Sequence, residues 1–492
     1  MTIPSVNVKF SDIQEELGGR APTTLSEYYS GGKFVSYAFT SNGLSVPATI
    51  PASGNLRASN FYGVDAPKYK LSRFSINESG ASLSADGVAI DSSNNIIVSA
   101  KSTDGSRINA VLRKYDYALN PIWQDIRPSF STSQDERQLS VNSSGNIMQI
   151  YRSYKVNNTF YVFAKYNSSG ALQFIKRMDS DTDVGSGAVA LRDNETILFS
   201  ISGLSGGSAT HELNSTMDNS VNSRGERTLY GNIGILIPPN GELVRVVQQG
   251  GLNISGNRGR ILTYKVTGMN TFSVTRSNVT SYGVNTGSPV DLMGARATTD
   301  RSNNIIVLSS QRWYANGRYE FNVTKQNSNF GIIWSKSFVD SSLAANASIG
   351  GARDICTDEL DNIYVLAGQN GNGILKYTSS GNLIWSASTV STNVFFHAIA
   401  AFSDDQIVVV GRENSNAFVL KTRTDFTSNA GTLSDQIRLT YNLPNIISYD
   451  LPVDVSGNPG FSSGGPVYDS PNTSIAFPAQ ANSTTNTATF GY

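Results

Sequence analysis

The stretch "DELDNIYVLAGQNGNGILKYTSSGNLIW", residues 358–385, decides the fold of this chain. A polar turn, "DELDN", precedes the apolar run "IYVLA", and a second turn, "TSSGN", separates the runs "GILKY" and "LIW". Short apolar runs rich in β-branched and aromatic residues, bounded by Asp, Asn, Ser and Gly, are typical of β-strands joined by hairpins. The stretch therefore predicts antiparallel strands connected by tight turns.

The same order of turn and strand recurs between residues 70 and 435 with a period of about 50 residues. Seven copies of its first half begin at residues 91, 142, 192, 238, 300, 358 and 403. Four strands per unit at this spacing are typical of the blades of a β-propeller, in which each small twisted sheet covers its neighbour. We predict an all-β fold with a seven-bladed β-propeller. Because the third and fourth units are degenerate, six or eight blades stay open.

The unit in residues 358–385 also resembles the "D-x-x-G-N-I-Y-V-x-G … K-Y-x-x-x-G-x-L-x-W" repeats of bacterial and viral propellers. Two stretches outside the repeats, "YKLSRFSI" (69–76) and "IRLTYNL" (437–443), are candidates for the strand that joins the last blade to the first. We expect three parts: an N-terminal virion-docking module (1–65), the propeller (66–443) and a Gly/Ser/Asn-rich C-terminal arm (444–492).

Composition excludes several classes of function. Lys plus Arg and Asp plus Glu both number 38, so no net charge favours nucleic acid or an anionic membrane. The single cysteine, Cys356, excludes an internal disulfide framework and a Cys-cluster metal site. No apolar run is long enough for a membrane span, and the N-terminus lacks the pattern of a signal peptide. We therefore expect synthesis in a cytoplasm and no membrane insertion.

Four aromatic side chains occupy one position of the repeat, Trp123, Phe174, Trp334 and Trp385. A fixed repeat position favours packing between strands over ligand stacking. Trp313 differs, because it lies in the longer hairpin "SSQRWYANGRYEF". Aromatic residues on such a hairpin can stack on sugars, although packing on a neighbouring hairpin also accounts for them. The candidate glycan contacts are Arg312, Trp313 and Tyr314.

Catalytic and metal-binding patterns find little support. The Asp residues that open the turns, Asp91, Asp300 and Asp358, are better explained as hairpin caps than as calcium ligands, since no turn combines several acids with a glycine. His397 lies in the apolar run "VFFHAIA", and we expect it to be a core histidine. No known nucleophile, zinc or phosphate-binding motif appears. We predict no catalytic, cofactor or metal site and no enzymatic activity; a propeller glycosidase or lyase is the enzymatic alternative.

The first 65 residues repeat one small phrase, "FSDI", "LSEYY" and "ASNFYG". Each combines a Ser that can cap a helical turn with an acid or amide and one or two large apolar side chains. So little apolar area makes a small domain marginal by itself, which favours docking on a partner; a cap on the chain's own propeller is the alternative. The candidate interface residues are Ser26, Tyr28, Tyr29, Ser59, Phe61 and Tyr62.

Residues 3–63 resemble the N-terminal module of virion structural proteins of tailed bacteriophages, particularly marine ones, with a departure at Arg57 and Ala58 where the family carries a β-branched residue or Leu. The resemblance implies particle assembly and does not say at which station on the particle. With the lack of catalytic motifs, we expect a non-enzymatic virion protein, present in several copies, whose partners are other virion proteins. The tail, baseplate or fibre apparatus is the expected location. A receptor-binding appendage that contacts host surface glycan and a capsid decoration protein are the alternatives.

The C-terminal residues 453–492 are nearly uncharged and rich in Gly, Ser, Pro, Asn and Thr. Apolar side chains punctuate them at wide intervals, for example Phe461, Val467, Ile475 and Phe477. An extended arm laid over a neighbouring subunit would need such anchors, whereas a free linker would not. Plain disorder remains the alternative.

Overall fold

The computed structural model describes most of residues 69–456, together with Lys9 and Arg57. The described ranges are 69–74, 82–104, 107–129, 137–155, 158–180, 184–203, 207–213, 220–227, 231–249, 260–267, 273–281, 290–313, 319–340, 353–367, 373–389, 393–402, 406–423, 439–441, 446–450 and 454–456. Apart from Lys9 and Arg57, the predicted N-terminal module lies outside them. Within these ranges every regular element is a strand, so no helix there is long and apolar enough to cross a membrane.

The described strands form seven antiparallel sheets, here numbered in chain order. Sheet 1 contains β2 (Ser82–Ile90), β3 (Ile96–Asp104), β4 (Arg107–Tyr115) and β5 (Pro121–Ser129). Sheet 2 contains β6 (Arg137–Val141), β7 (Ile147–Lys155), β8 (Asn158–Tyr166) and β9 (Leu172–Ser180). Sheet 3 contains β10 (Val184–Leu191), β11 (Ile197–Gly203), β12 (Gly207–Leu213) and β13 (Ser220–Arg227).

The remaining four sheets repeat this order with additions at their edges. Sheet 4 contains β14 (Gly231–Leu236), β15 (Leu243–Gln249), β16 (Arg260–Thr267) and β17 (Ser273–Ser281). Sheet 5 contains β18 (Val290–Thr299), β19 (Ile305–Trp313), β20 (Tyr319–Gln326) and β21 (Ile332–Asp340). Sheet 6 contains β22 (Asp354–Thr357), β23 (Ile363–Ala367), β24 (Gly373–Tyr377) and β25 (Leu383–Thr389). Sheet 7 contains β26 (Val394–Ala401), β27 (Gln406–Glu413), β28 (Asn416–Arg423) and, at its outer edge, β1 (Tyr69–Phe74).

The first strand of each sheet contacts the first strand of the next. The contacting pairs are β2–β6, β6–β10, β10–β14, β14–β18, β18–β22, β22–β26 and β26–β2, so the series returns to its start. The apolar core lies between neighbouring sheets. For example, Val98 and Val111 of sheet 1 pack in one cluster with Val408 and Val419 of sheet 7.

Strand β1 is the outer strand of the last sheet. It pairs antiparallel with β28 over its whole length, from Tyr69 opposite Thr422 to Phe74 opposite Ala417. Of the two stretches that the sequence offers as closing strands, the first therefore supplies, through its residues 69–74, the outer strand of the last sheet. The other stretch, 437–443, goes elsewhere.

Three short C-terminal strands extend sheets 6, 5 and 4 in that order. They are β29 (Leu439–Tyr441) on β25, β30 (Ile446–Asp450) on β21 and β31 (Asp454–Ser456) on β17, all antiparallel. The chain thus runs backward past the outer edges of sheets that it formed earlier. The boundary predicted between residues 443 and 444 falls between β29 and β30, and the division into three parts stays a prediction.

Tight five-residue turns connect the first and second strands of sheets 1, 2, 3, 5 and 6 and the third and fourth strands of sheets 1, 2, 5 and 6. In the turn of residues 91–95, Asp91 N donates to Asn95 O and Asn94 N donates to Asp91 O. The fourth residue takes a positive φ, 61° at Asn94 and 82° at Gly381. This is a type I turn followed by a residue in the left-handed region, a favoured way to close a hairpin. The polar phrases of the sequence therefore act as hairpin turns, as predicted.

Buried lysines on the third strands fasten the turns. Lys114 Nζ lies 2.9 Å from Asp91 Oδ2 and donates to Ser168 O of sheet 2 at 2.9 Å. Lys325 repeats both contacts, with Asp300 Oδ2 at 2.9 Å and Ser379 O of sheet 6 at 3.1 Å. Each lysine thus ties a turn of its own sheet to a turn of the next.

Candidate functional site

Most site residues predicted from the sequence cannot be placed. The candidate interface residues of the N-terminal module lie outside the described residues: Ser26, Tyr28, Tyr29, Ser59, Phe61 and Tyr62. Arg312 and Trp313 lie at the end of β19, where only the backbone is described, and Tyr314 lies outside. The predicted glycan contacts therefore stay a prediction.

The aromatic residues at the shared repeat position do pack, as predicted. Trp123 is only 6% exposed and stacks on Tyr166 of sheet 2. A Cβ at Gly170, in a turn of sheet 2, would lie 2.6 Å from the Trp123 ring. Trp385 is 5% exposed within the core between sheets 6 and 7. These indole rings are structural, because neighbouring strands and turns occupy their faces.

The turn aspartates are hairpin caps, and a lysine is the positive partner of two of them, Asp91 and Asp300. Asp91 Oδ1 accepts hydrogen bonds from Ser93 N at 2.9 Å and Asn95 N at 2.8 Å. Burial by itself would raise the pKa of Asp91, but hydrogen bonds from Lys114 and Asn95 outweigh it and lower the pKa. The pKa of Asp300 is lowered in the same way by Lys325 and Asn304. Across the described ranges, no group of three or more His, Cys, Asp or Glu side chains could hold a metal ion.

Three polar side chains occupy one position in three consecutive sheets, on the first strand or, for Arg353, just before it. The hairpin turns after β22, β26 and β2 begin at Asp358, Phe402 and Asp91. Five residues before each turn stand Arg353, His397 and Asp86. Asp86 and His397 are the extra residues of β-bulges, between Ala85 and Gly87 and between Phe396 and Ala398. Bulges often re-aim a side chain near a functional site.

We call Asp86, Arg353 and His397, with Ser84 and Lys101, the inner-strand cluster. His397 Nδ1 lies 3.0 Å from Asp86 Oδ1, 3.1 Å from Ser84 Oγ and 3.0 Å from Ala85 O. Ser84 Oγ donates to Asp86 Oδ1 at 2.6 Å. Because the carbonyl and the carboxylate can only accept, Nδ1 carries the imidazole proton.

This geometry does not form a catalytic relay. A nucleophile relay needs the carboxylate on one ring nitrogen and the hydroxyl on the other, so that the free nitrogen removes the hydroxyl proton. Here Ser84 and Asp86 both contact Nδ1, and the Ser84 hydroxyl donates to the carboxylate. The arrangement is suited to hydrogen bonding and ion pairing rather than to activation of Ser84.

Charged groups of sheets 1, 5 and 6 lie around the pair formed by His397 and Asp86. Lys101 Nζ lies 3.9 Å from Asp86 Oδ2, and the Lys101 and Asp86 side chains are 32% and 20% exposed. Arg353 is exposed as a residue, and the pKa of its guanidinium is lowered by partial burial and then by the charge of Arg296, while Asp86 acts in the opposite direction. The cluster therefore presents more positive than negative groups to solvent.

Asp354, next to Arg353, links sheet 6 to sheet 7. Its Oδ2 accepts from Ile399 N at 2.9 Å. The whole residue keeps some accessible surface, but protein atoms surround its carboxyl group, and this burial raises its pKa to about 6. Arg296 and the backbone N–H groups of Ile399 and Ile355 favour the ionised form and limit the rise.

Two cavities lie at the turn ends of the first strands. One of about 770 Å³ is lined by sheets 2, 3, 4 and 5, and one of about 500 Å³ is lined by sheets 1, 4, 5, 6 and 7. Together they receive residues from all seven sheets. Their acidic groups include Asp91 and Asp300, which are already held by lysines.

The sequence prediction for His397 is wrong, because the side chain is 20% exposed and hydrogen-bonded instead of belonging to the core. The sequence analysis also missed Asp86, Arg296 and Arg353. One signal could have found Asp86 and Arg353: both lie five residues before a hairpin turn, at the position that His397 occupies in sheet 7.

Comparisons with known proteins give no family. No family model matches the chain, and no curated protein matches it. Among solved structures, a hydrazine synthase of Kuenenia stuttgartiensis is 10% identical over 69% of this chain and 96% of its own, with a TM-score of 0.47. The polysaccharide lyase Uly1 is 10% identical over 69% and 90%, with a TM-score of 0.42. A putative glycoside hydrolase of Parabacteroides distasonis is 10% identical over 70% and 87%, with a TM-score of 0.30.

Proposed function

We propose that the seven sheets are the blades of a closed β-propeller. Three observations support this: the contacts between first strands return to their start, β1 completes the last sheet, and two cavities at one end receive residues from all seven sheets. A ring closed by an N-terminal strand on the last blade leaves no open sheet face, since every blade is covered on both sides.

Two deletions test the closure. Removing residues 1–65 leaves β1 intact, whereas removing residues 1–75 also removes the strand that pairs with β28. We expect the shorter deletion to unfold at the same temperature as the full chain and the longer one to unfold at a clearly lower temperature, because sheet 7 loses its outer strand. Equal unfolding temperatures for the two deletions would contradict a closure made by β1.

We further propose that the chain is a non-enzymatic structural component of a tailed-phage virion, of the tail, baseplate or fibre apparatus. The observation that carries this proposal is the triple phrase in residues 1–65, with its resemblance to a virion-docking module, placed just before the strand that closes the ring. A docking segment just before β1 would attach the propeller to its partner at the point where the proposed ring closes. The geometry around His397 does not activate Ser84 as a nucleophile, because Ser84 and Asp86 both contact Nδ1.

The deletion of residues 1–65 also tests this function. We expect the truncated protein to be soluble and folded but absent from purified particles, while the full chain is incorporated. Incorporation of the truncated protein at the full-length level would overturn docking through residues 1–65. Turnover of host polysaccharide by the purified full chain, lost on substitution of His397 by Gln, would overturn the non-enzymatic assignment.

A further inference from the structure

Two side chains of the inner-strand cluster keep unused hydrogen-bonding groups. The first is Arg353, which is exposed and whose guanidinium, as the described part of the chain shows, makes no hydrogen bond or ion pair. Two other arginines are held by acceptors: Arg127 Nε donates to Asp125 Oδ2 at 2.7 Å, and Arg301 Nη1 donates to Glu359 O at 3.1 Å. Arg353 therefore presents its fork of N–H donors to solvent.

The second unused group is Nε2 of His397. Ser84 Oγ, Asp86 Oδ1 and Ala85 O all lie at the other ring nitrogen, Nδ1, at 3.1, 3.0 and 3.0 Å. In the described ranges nothing lies within hydrogen-bond distance of Nε2, and Nε2 is not one of the buried atoms that lack a partner. Because Nδ1 carries the proton, Nε2 is a solvent-accessible acceptor.

The two groups lie at the same level of neighbouring sheets. Asp354 Oδ2 accepts from Ile399 N at 2.9 Å, which ties β22 to β26. Arg353 directly precedes this acceptor, and His397 lies two residues before the donor. From sheet 1, Asp86 Oδ1 lies 3.0 Å from His397 Nδ1, and the charge of Asp86 acts on the Arg353 guanidinium. One small ligand can therefore reach the guanidinium and the imidazole together.

We propose that the Arg353 guanidinium and His397 Nε2 bind a sugar that carries a carboxylate. The planar guanidinium holds the two oxygens of a carboxylate through parallel hydrogen bonds. Nε2 accepts a hydrogen bond from a hydroxyl of the same ligand. The neighbouring side chains of Ser84, Asp86 and Lys101 are polar, which favours an acid rich in hydroxyl groups over an apolar acid. A hexuronate such as glucuronate has both kinds of group.

The charges around the site favour a ligand with a single negative charge. The carboxyls of Asp86 and Asp354 lie beside the two binding groups and repel an anion, and this repulsion grows with the charge of the ligand. On the positive side, burial and then the charge of Arg296 lower the pKa of Arg353. A bound anion offsets the repulsion between these two guanidinium groups. A singly charged carboxylate is thus favoured over a doubly charged phosphate.

Titration of the full chain with glucuronate, followed by NMR of the imidazole nitrogens, tests the proposal. The chain has two histidines, His211 and His397, so the variant His397→Gln assigns the signals. We expect millimolar glucuronate to shift the Nε2 resonance of His397 more than the Nδ1 resonance. Glucose, which lacks the carboxylate, should leave both unchanged. The absence of a shift with glucuronate, or an equal shift with glucose, would overturn the proposal.

The variant Arg353→Gln tests the anion contact. We expect it to bind glucuronate about tenfold more weakly or worse, because a hydrogen bond to a charged group is lost. Arg301→Gln removes an arginine beside a hairpin turn and is the matched control, with binding equal to that of the parent. Unchanged binding by Arg353→Gln would overturn the proposal. The comparison of glucuronate with glucose on the parent protein needs no variant and decides the question if Arg353→Gln does not fold.

Two further ligands identify the chemistry that is recognised. Acetate, an acid without hydroxyls, should bind more weakly than glucuronate and leave Nε2 of His397 unshifted; equal binding would overturn the hydroxyl contact. Glucose 6-phosphate should also bind more weakly, and tighter binding would overturn the choice of a carboxylate. This inference goes beyond the proposed virion function, and because every readout uses the purified chain without particles, the two succeed or fail separately.

Discussion

The turn ends of the sheets repeat one contact, whereas the residues of the inner-strand cluster differ from sheet to sheet. At the turn ends the same chemistry recurs, with Asp91 on Lys114 and Asp300 on Lys325 at the same distance of 2.9 Å. In the inner-strand cluster, one position carries Arg353, His397 and Asp86 in three neighbouring sheets. A contact that repeats serves the geometry common to all sheets. A position whose residue changes from sheet to sheet is free of that demand and can serve a ligand or partner.

Removal of a turn lysine should have the largest effect of four substitutions that probe this contrast. Lys114→Met leaves the Asp91 carboxylate buried without its cation, and loss of one partner of a buried pair costs about 3–5 kcal/mol of unfolding free energy. Chemical denaturation of the variant and the parent protein measures the loss.

The double variant Asp91→Asn, Lys114→Met is the matched control for the lysine. Asn142 occupies the same turn position in sheet 2 and keeps the bond to Asn146 N at 2.9 Å, so an Asn can cap this turn. We expect the double variant to regain most of the lost stability. A double variant as unstable as Lys114→Met would mean that packing of the lysine stem, and not charge pairing, holds the turn.

Asp354 lies between the two regions. It follows Arg353 of the inner-strand cluster, but its carboxylate accepts a hydrogen bond from the backbone of sheet 7. Its folded pKa of about 6 lies above the ordinary value of 3.8 for an aspartate, so folding favours the protonated form. Stability from this group is present below pH 4 and is lost as the pH rises to about 6. The shift corresponds to at most about 3 kcal/mol.

The variant Asp354→Asn should remove this pH dependence and keep an oxygen for Ile399 N. We expect it to match the parent near pH 4 and to be more stable at pH 7, in unfolding free energies measured across that range. Parallel pH profiles for the two proteins would show that the Asp354 carboxyl is not held in an environment that disfavours its charge.

Glycine substitutions separate backbone strain from packing at the turns. Gly170 and Gly241 both have positive φ, 88° and 75°, so Ala at either position pays a similar conformational cost. Only at Gly170 would the new Cβ press on Trp123, whereas no atom lies within 4 Å at Gly241. We expect Gly170→Ala to cost about 1–3 kcal/mol more than Gly241→Ala. Equal losses would exclude the Trp123 contact as a constraint on sheets 1 and 2.

The sequence predicted the scaffold well because its chemistry repeats. Seven turn-and-strand phrases gave the described strands, and the fixed position of Trp123 and Trp385 identified them as packing residues. The sequence prediction failed at His397 because the residue lies in an apolar run, which indicates a core position. The β-bulge that changes the direction of its side chain cannot be recognised from the hydropathy of the run. The sequence could not place β29–β31, because strand pairing at a rim depends on which edges are vacant, and that follows only from the arrangement of sheets.

Substitution of His397 should have the smallest effect on stability if the cluster is separate from the scaffold. The side chain is 20% exposed, and Asp86 keeps the hydroxyl of Ser84 and the nearby ammonium of Lys101 in its absence. Water can replace the lost imidazole at such a site, so we expect His397→Gln to change the unfolding free energy by less than about 1 kcal/mol. A loss of more than about 2 kcal/mol would place His397 with the turn lysines, as a contact that the fold requires, and would end the distinction between a repeated scaffold and a variable inner cluster.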